Sequence, residues 1–342
     1  MEVKIVYRVF IVVISAFAFL LLDSCKKEES DPIPEPSKYG FIAVCEGNFN
    51  WGNSSITSYD EAKGELNNNL FENVNGFSLG DVAQSIGETD DKYFIVVNNS
   101  SKIEVVSKSD FTSLYTINDL GSPRYFQAIN DSIAYVSDLW NDVIHIINYN
   151  TGNLEGEIAV NGWSEQMVQL EDSVYVGLYA TNSIGIVNTN NHELVDEIQL
   201  NLPPISMRLD KHNILWVLAS EYGGASALYR INVATREIEL DWEFTDITLS
   251  FIDLPIDSDH LYMAYSSGLI TKISLTQSPL VTNLFAKEFD GLYGFNVNED
   301  GEVYIMEAHD FVQNGTITKY NKLGEIQFSI ESGINPNAII FR

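Results

Sequence analysis

The segment DSIAYVSDLWNDVIHIINYNTGN, residues 131–153, decides the fold of this chain. It contains a short hydrophobic strand around Tyr135-Val136, a polar loop, a second strand that ends at Asn148, and a turn that includes Gly152. β-Branched and aromatic residues favour strands, and Asn and Gly tolerate the positive φ angles that tight turns require. The segment therefore predicts two antiparallel strands followed by a turn into a third strand.

The same pattern occurs seven times along the chain. The hydrophobic pair of the first strand recurs at intervals of 40 to 52 residues, at 43–44, 95–96, 135–136, 175–176, 216–217, 262–263 and 304–305. A strand of the form apolar-x-x-apolar-(Asp/Asn/Ser) follows every pair. A period near 40 residues with four short strands per unit is typical of a β-propeller. The sequence therefore predicts an all-β fold, a seven-bladed β-propeller over residues 39–342.

A further strand precedes most of these pairs, and its position predicts how the ring closes. Its last copy lies at the C-terminus, at residues 338–341, with no pair after it. The first repeat, which begins at Tyr39, lacks this strand. We therefore expect the C-terminal strand to become the innermost strand of the first blade. This pairing joins the two chain ends and removes free sheet edges, which otherwise template aggregation.

The composition restricts the possible functions. The 342 residues are 45% hydrophobic and 20% charged, so the chain can bury a substantial core. Nineteen basic residues against 48 acidic ones give a net charge of −29, which opposes binding to nucleic acid or to an acidic membrane surface. The two cysteines and five histidines form no zinc-site or HExxH pattern, and no phosphate-binding glycine motif occurs. A soluble acidic binding protein, or an enzyme without a familiar signature, is what remains.

The N-terminus predicts an export signal and a lipid anchor. Lys4 and Arg8 precede an apolar run over residues 9–22, which has the length of a signal-peptide core and is short for a membrane-spanning helix. The tetrapeptide Leu22-Asp23-Ser24-Cys25 resembles a bacterial lipobox, and residues 26–29, KKEE, resemble a signal for export to the outer face of the outer membrane. We expect a signal peptide over 1–24, lipidation at Cys25, a tether over 25–38 and exposure at the cell surface; a plain secretory signal is the alternative.

Loop length indicates which face of the propeller binds a ligand. In a propeller, the loops between the second and third strands of each blade share a face with the connections between blades. The loops at 46–54 and 307–315 are among the longest, and ring closure makes blades seven and one neighbours. We therefore expect these two loops to lie side by side and to mark a binding face, because function concentrates in loops on rigid scaffolds.

Aromatic and amide side chains are abundant on this predicted face. Rings can stack on the faces of a large organic ligand, and amides can bind its polar edges. The candidate contacts in the loops within blades are Asn48, Phe49, Trp51, Asn98, Trp140, Tyr179, Tyr222, Tyr265, His309 and Phe311, and those between blades are Tyr125, Trp163 and Tyr293. For any single aromatic residue, packing in the core between blades is the alternative.

Two arginines and one histidine complete the candidate site. Arg124 and Arg208 lie on or beside inner strands and can bind a carboxylate, phosphate or amide oxygen through their forked donors; an ion pair between blades is the alternative. His309 has the chemistry of a base or a metal ligand, but its loop contains no second histidine and no cysteine. The sequence therefore predicts no catalytic residue, no metal and no cofactor.

The motifs also resemble a known propeller family. Residues 46–53 (EGNFNWGN), 121–126 (GSPRYF) and 131–136 (DSIAYV) are similar to YncE-like, YVTN-type seven-bladed propellers and, together with the leader, to lipid-anchored BtuG-type cobalamin-binding proteins. This resemblance implies capture of a corrinoid at the cell surface and its delivery to a TonB-dependent transporter of the outer membrane. The alternatives are a protein-interaction scaffold of a surface complex and a propeller enzyme of the quinoprotein or lactonase type.

Overall fold

The seven repeats form seven four-stranded antiparallel sheets. A computed structural model describes residues 40–221, 224–245, 248–256, 258–276 and 278–342. In six sheets the four strands follow sequence order from the centre outwards, and the first blade takes its innermost strand from the C-terminus. The innermost strand of each blade contacts the innermost strands of both neighbouring blades around a full circle. The chain is therefore a seven-bladed β-propeller, which confirms the prediction from the repeats.

The strands are grouped here by blade, from the centre outwards. Blades one to three contain β28 (Pro336–Phe341), β1 (Gly40–Cys45), β2 (Ser55–Asp60) and β3 (Glu65–Asn67); β4 (Ala83–Glu88), β5 (Lys92–Val97), β6 (Lys102–Ser107) and β7 (Ser113–Ile117); and β8 (Pro123–Ala128), β9 (Ile133–Asp138), β10 (Val143–Asn148) and β11 (Asn153–Ala159). Blades four and five contain β12 (Ser164–Leu170), β13 (Ser173–Leu178), β14 (Ser183–Asn188) and β15 (Glu193–Gln199); and β16 (Pro204–Leu209), β17 (Ile214–Ser220), β18 (Ser226–Asn232) and β19 (Glu237–Phe244). Blades six and seven contain β20 (Leu249–Asp253), β21 (His260–Tyr265), β22 (Leu269–Ser274) and β23 (Val281–Ala286); and β24 (Leu292–Val297), β25 (Val303–Glu307), β26 (Asn314–Tyr320) and β27 (Ile326–Ile334).

Ring closure joins the two ends of the propeller domain. β28 pairs antiparallel with β1, and Phe341, Ile340 and Ile339 lie opposite Phe41, Ile42 and Ala43. The backbone N–H of Arg342 donates to the carbonyl of Gly40 at 2.9 Å. The C-terminal strand is thus the innermost strand of the first blade, as the sequence predicts.

The core lies between the blades. Every residue of β1 is buried, and β17 is buried except for Ser220 at its end, because both faces of these strands pack against other sheets. The outermost strands, such as β19, alternate exposed carboxylates with half-buried apolar residues. This difference explains why a second strand such as β17 is a nearly continuous hydrophobic run, whereas an outermost strand such as β19 alternates acidic and apolar residues.

The structure adds two short helices that the sequence analysis does not predict. The helix α1 (Leu70–Asn75) lies in the connection between blades one and two, where it buries Phe71 and ends at Gly76 in the left-handed conformation. A 3-10 turn, Asn98–Ser100, follows β5. Among the described residues, no helix has the length and hydropathy needed to cross a membrane. The predicted signal peptide, Cys25 and tether lie outside the described residues.

Candidate functional site

One face of the propeller collects the long loops, and we call it the crown. It comprises the connections between blades and the loops between second and third strands, which occupy residues 46–54, 98–101, 139–142, 179–182, 221–225 (described at 221, 224 and 225), 266–268 and 308–313. The loops at 46–54 and 308–313 lie side by side, because the side-chain N–H of Asn48 donates to the carbonyl of Phe311 at 2.9 Å. The predicted adjacency of these two loops is therefore confirmed.

The loop of blade one presents aromatic side chains from a fixed backbone. Asn48 and Asn53 bond to each other twice: Asn53 Oδ1 accepts from the Asn48 backbone at 2.8 Å, and Asn53 Nδ2 donates to Asn48 Oδ1 at 3.1 Å. Gly47 has a φ of 78°, and a Cβ there would lie 2.6 Å from Asn53 Oδ1, so only glycine fits. This arrangement leaves Phe49 and Trp51 66% and 75% exposed.

A second aromatic group lies on blades three and four. Trp163 stacks on Tyr179 with ring centroids 5.4 Å apart and planes 14° apart, and Trp140 meets Trp163 edge-on at 5.3 Å. Trp140 is 66% exposed. We call Phe49, Trp51 and Phe311 the blade-one aromatics, and Trp140, Trp163 and Tyr179 the blade-three aromatics.

A buried aspartate holds the loop that carries Trp140. Asp138 Oδ1 accepts the backbone N–H groups of Trp140 and Asn141 at 2.9 and 2.7 Å. Its Oδ2 accepts from the backbone of Ser122 at 2.8 Å and lies 3.2 Å from His145 Nε2. Burial opposes ionisation of Asp138, but these hydrogen bonds hold its pKa below the ordinary value. The ionised carboxylate therefore fixes the backbone under the blade-three aromatics.

Each innermost strand has a bulge at its second residue, at the crown end of the central channel. The pairing register with the second strand shifts there in all seven blades. A bulge leaves a residue out of the ladder and re-aims its side chain. The residues at this position are Gln84, Arg124, Glu165, Ile205, Ser250, Tyr293 and Asn337.

Five of these bulged residues join Glu46 in a network that we call the polar arc. The Tyr293 hydroxyl donates to Glu46 Oε2 at 2.6 Å, and Asn337 Nδ2 donates to Glu46 Oε1 at 2.8 Å. Asn337 Nδ2 also donates to the backbone carbonyl of Gln84, and Arg124 Nη1 donates to the Gln84 side chain. Arg124 Nε then binds Glu165 Oε2 at 3.0 Å. The polar arc consists of Tyr293, Glu46, Asn337, Gln84, Arg124 and Glu165, and it spans blades seven, one, two, three and four.

Burial shifts the ionisation of this network. It raises the pKa of Glu46, although hydrogen bonds from Tyr293 and Asn337 and the charge of Arg124 oppose the shift. Burial also raises the pKa of Glu165, against the ion pair with Arg124. Burial and then the neighbouring Glu46 raise the pKa of Tyr293, so its hydroxyl stays a hydrogen-bond donor.

The raised pKa of Glu46 predicts how stability depends on pH. A folded state that binds a proton more tightly than the unfolded state loses stability as pH rises from the ordinary carboxyl range through the raised pKa. Glu46→Gln removes this loss, because glutamine can accept from Asn337 and donate to the Tyr293 oxygen without a buried charge. We expect the variant to gain stability relative to wild type as pH rises, measured as urea midpoints at several pH values. Parallel pH curves for the two proteins would contradict this explanation.

The two arginines predicted as ligand contacts both form ion pairs between blades. Arg124 joins blade three to Glu165 of blade four. Arg208 lies near the opposite end of its strand, where Nε binds Asp253 Oδ1 of blade six at 3.1 Å. Asp253 Oδ2 also accepts from the backbone of Val297 in blade seven at 2.7 Å. The alternative of an ion pair between blades therefore describes both arginines, and Arg124 also belongs to the polar arc at the crown.

Several predicted contacts are used in packing. Tyr265 is 6% exposed and meets Phe244 edge-on, so it packs in the core between blades, the alternative given for each candidate aromatic residue. The Asn98 amide donates to Ser122 Oγ and the Pro123 carbonyl and so joins blades two and three. Tyr125 is half-buried beside Arg124, whose guanidinium lies 5.8 Å from the ring. Tyr222 lies outside the described residues.

His309 has hydrogen-bond partners within the crown. Its Nδ1 lies 3.0 Å from Asp290 Oδ2, and its Nε2 lies 3.3 Å from Thr316 Oγ1. Within the described ranges, no group of three or more His, Cys, Asp and Glu side chains is arranged to hold a metal ion. The contacts of His309 are those of a residue that orders the loop of blade seven.

Sequence reasoning missed Glu46, Gln84, Glu165 and Asn337. A signal for three of them was present, because each is the second residue of an innermost strand, in the same repeat position as Arg124 and Tyr293. Aligning the seven inner strands by this position would have selected them. Glu46 belongs to a loop instead, and only the fold brings it to the same place.

An open depression of about 320 Å³ lies elsewhere, on the face opposite the crown. It is lined by Asp300, Glu302, Asn321, Lys322 and Leu323, at the turns of blade seven. Its walls are side chains on two hairpin turns of one blade rather than groups that converge from several blades. The polar arc, which five blades build together, is the better candidate for a site.

Comparison with known proteins agrees with the architecture. A family profile described as "Domain of unknown function (DUF5074)" matches residues 39–329. No curated protein sequence matches the chain. A quinonprotein alcohol dehydrogenase-like protein of Bacteroides thetaiotaomicron is similar in structure, with 16% identity, a TM-score of 0.69 and coverage of 89% of this chain and 78% of that one.

Two further solved structures have the same fold. Hydrazine synthase of Kuenenia stuttgartiensis has 15% identity and a TM-score of 0.62, over 75% of this chain and 92% of that one. A candidate 6-phosphogluconolactonase of Bacteroides fragilis has 13% identity and a TM-score of 0.64, over 90% of this chain and 99% of that one. At these identities the similarity concerns the fold alone, because one propeller scaffold hosts many functions.

Proposed function

Because this chain belongs to the DUF5074 family and its fold is a seven-bladed propeller with an aromatic crown, we propose that it is a binding protein that captures a large organic ligand without chemical conversion. The observation that carries this proposal is the pair of aromatic groups on the crown, with the polar arc between them. Exposed rings on fixed loops offer large contact areas at low entropic cost. Amide and carboxylate groups at the channel mouth supply the polar contacts that orient a ligand.

A corrinoid is the ligand that we test first. Its macrocycle is large and carries amide side chains around the edge, so it matches rings at both sides and hydrogen-bonding groups between them. The resemblance of residues 46–53 and 121–126 to BtuG-type proteins supports the same choice. The proposal includes delivery of this ligand to a TonB-dependent transporter of the outer membrane.

The proposal also includes a lipid anchor at Cys25. Each innermost strand begins at the crown and each second strand ends there, so β1 begins at Gly40 on the opposite face. The described chain therefore enters the propeller on the face opposite the crown. Cys25→Ala in the full chain should abolish incorporation of labelled palmitate and release the protein from the membrane fraction. Unchanged labelling and membrane association would contradict lipidation at this residue.

Retention of cobalamin tests the binding function. Protein expressed without residues 1–24 is expected to stay coloured through gel filtration after mixing with cobalamin. The double variant Trp140→Ala, Trp163→Ala should elute colourless at the same volume, because it lacks two of the three blade-three aromatic rings but keeps the fold. Colourless wild-type protein that instead co-purifies with a membrane protein would favour the scaffold function. Turnover of a lactone panel would favour an enzyme.

A further inference from the structure

The polar arc has one more carboxylate than it has cations. Arg124 is its only cation, and the guanidinium Nε binds Glu165 at 3.0 Å. The hydrogen-bond partners of Glu46, Tyr293 and Asn337, are both neutral. Among the described residues, no lysine, arginine or histidine forms an ion pair with Glu46, although the charge of Arg124 acts on it from farther away. A partly buried carboxylate without a direct counterion is costly.

The groups around Glu46 are arranged to accept further hydrogen bonds. A carboxylate has about four lone-pair sites, and Tyr293 and Asn337 occupy two of those on Glu46. Asn337 Oδ1 is buried and has no hydrogen-bond partner among the described residues. Glu46 itself is only partly buried, and it begins the crown loop at 46–54. The channel mouth therefore offers acceptors and negative charge to an incoming group.

Aromatic rings stand beside these acceptors. The ring of Tyr293, whose hydroxyl binds Glu46, meets Phe311 edge-on with centroids 5.7 Å apart. Phe311 is about half exposed and belongs to the blade-one aromatics. A cation near ring faces gains a further attraction, which is larger where water is excluded.

We propose that the channel mouth at Glu46, Asn337 and Tyr293 is a subsite for an organic ammonium group, preferably one attached to an aromatic ring. An ammonium has three donors and one positive charge, which match the free acceptors and the missing counterion. A carboxylate has neither and would repel Glu46. This subsite goes beyond the proposed capture of a large ligand on the crown, because a small amine suffices to occupy it.

Two probes with the same phenethyl skeleton and opposite charge test the subsite. Phenethylamine and 3-phenylpropionate are titrated separately into protein lacking residues 1–24, and binding is followed by isothermal titration calorimetry. Wild type is expected to bind phenethylamine saturably and at least ten times more tightly than 3-phenylpropionate. Equal affinities for the two probes, or no saturable binding of phenethylamine to folded protein, would overturn the proposal.

Matched variants assign any preference to Glu46. Glu46→Gln keeps both hydrogen bonds and is expected to weaken phenethylamine binding at least ten-fold. Asp81→Asn removes the same charge elsewhere on the crown, where Asp81 accepts from Asn50 and Asn99, and should leave binding unchanged. An equal loss in both variants would mean that the preference comes from overall charge, and no loss in Glu46→Gln would exclude the subsite.

The pH profile gives an independent readout. The ionisable groups that face Glu46 are Tyr293, Arg124 and, through Arg124, Glu165. Protonation of Glu46 on acidification removes the charge that attracts the ammonium. Because burial raises the pKa of Glu46, phenethylamine affinity should begin to fall at a higher pH, as the solution is acidified, than it would for an exposed glutamate. Glu46→Gln should remove this pH dependence. The cobalamin test uses variants of the blade-three aromatics, whereas the amine test uses Glu46→Gln. A negative result for the amine subsite therefore does not decide the cobalamin test, and a negative cobalamin result does not decide the amine test.

Discussion

A chain that ends at Asn335 is expected to lose its cooperative folded state rather than fray at one end. Removing β28 uncovers the whole inner edge of β1, which pairs with it from Phe41 to Cys45. The same deletion takes away the inner-strand neighbour of β24 and β4, so two blade interfaces lose contacts at once. An open ring also exposes an apolar strand edge, which favours aggregation.

Thermal unfolding followed by circular dichroism checks this expectation. The matched control is Leu66→Ala on β3, the outermost strand of the same blade, where the side chain is 41% exposed. We expect this control to change the free energy of unfolding by less than about 1 kcal/mol. A chain without residues 336–342 that melts cooperatively near the wild-type temperature would disprove closure as the basis of stability.

Alanine substitutions at two tryptophans are expected to have opposite effects, one on the stability of the fold and the other on ligand binding. Trp216 is fully buried, and its Nε1 donates to Asp210 Oδ2 at 2.9 Å. Trp216→Ala leaves a cavity and removes a partner of the buried Asp210, so we expect a loss of about 3–5 kcal/mol in the free energy of unfolding. Trp140→Ala alters an exposed ring and should change stability by about 0.5 kcal/mol or less.

The effects on ligand binding should be reversed. If cobalamin stacks on the blade-three aromatics, Trp140→Ala should weaken its binding by about 2 kcal/mol, roughly thirty-fold. Trp216→Ala protein that remains folded at low temperature should bind with nearly wild-type affinity, because Trp216 lies in the core of blades five and six. Urea unfolding and equilibrium dialysis measure the two quantities. Unchanged cobalamin affinity in Trp140→Ala would remove the blade-three aromatics from the proposed site.

Local sequence patterns were sufficient to predict the fold. Hydrophobic pairs such as Tyr135-Val136 recur at one period because every blade must bury its second strand on both faces. Loop boundaries followed from the same pattern: the loop at 46–54 has the predicted limits, and the loop predicted at 307–315 occupies residues 308–313. The adjacency of Asn48 and Phe311 followed from the number of blades and from ring closure.

The exposure and the contacts of individual side chains were less predictable. Trp51 and Tyr265 are both aromatic residues at crown loops, yet one is 75% exposed and the other is core. The strand end at Tyr265 packs against Phe244 from the preceding blade, a contact that depends on how two sheets face each other. Arg124 and Arg208 differ in the same way, since their height along the channel decides which carboxylate each one meets.

By itself, the sequence determined the number of blades, their strand order and the closing partner of the first blade, because these depend on periodicity and on the burial of alternate segments. Only the tertiary structure decided the polar arc, since Glu46 meets Tyr293 and Asn337 across 247 and 291 residues of chain. Tyr293 and Asn337 lie at bulges of their inner strands, and a bulge depends on pairing between strands rather than on the residue that occupies it.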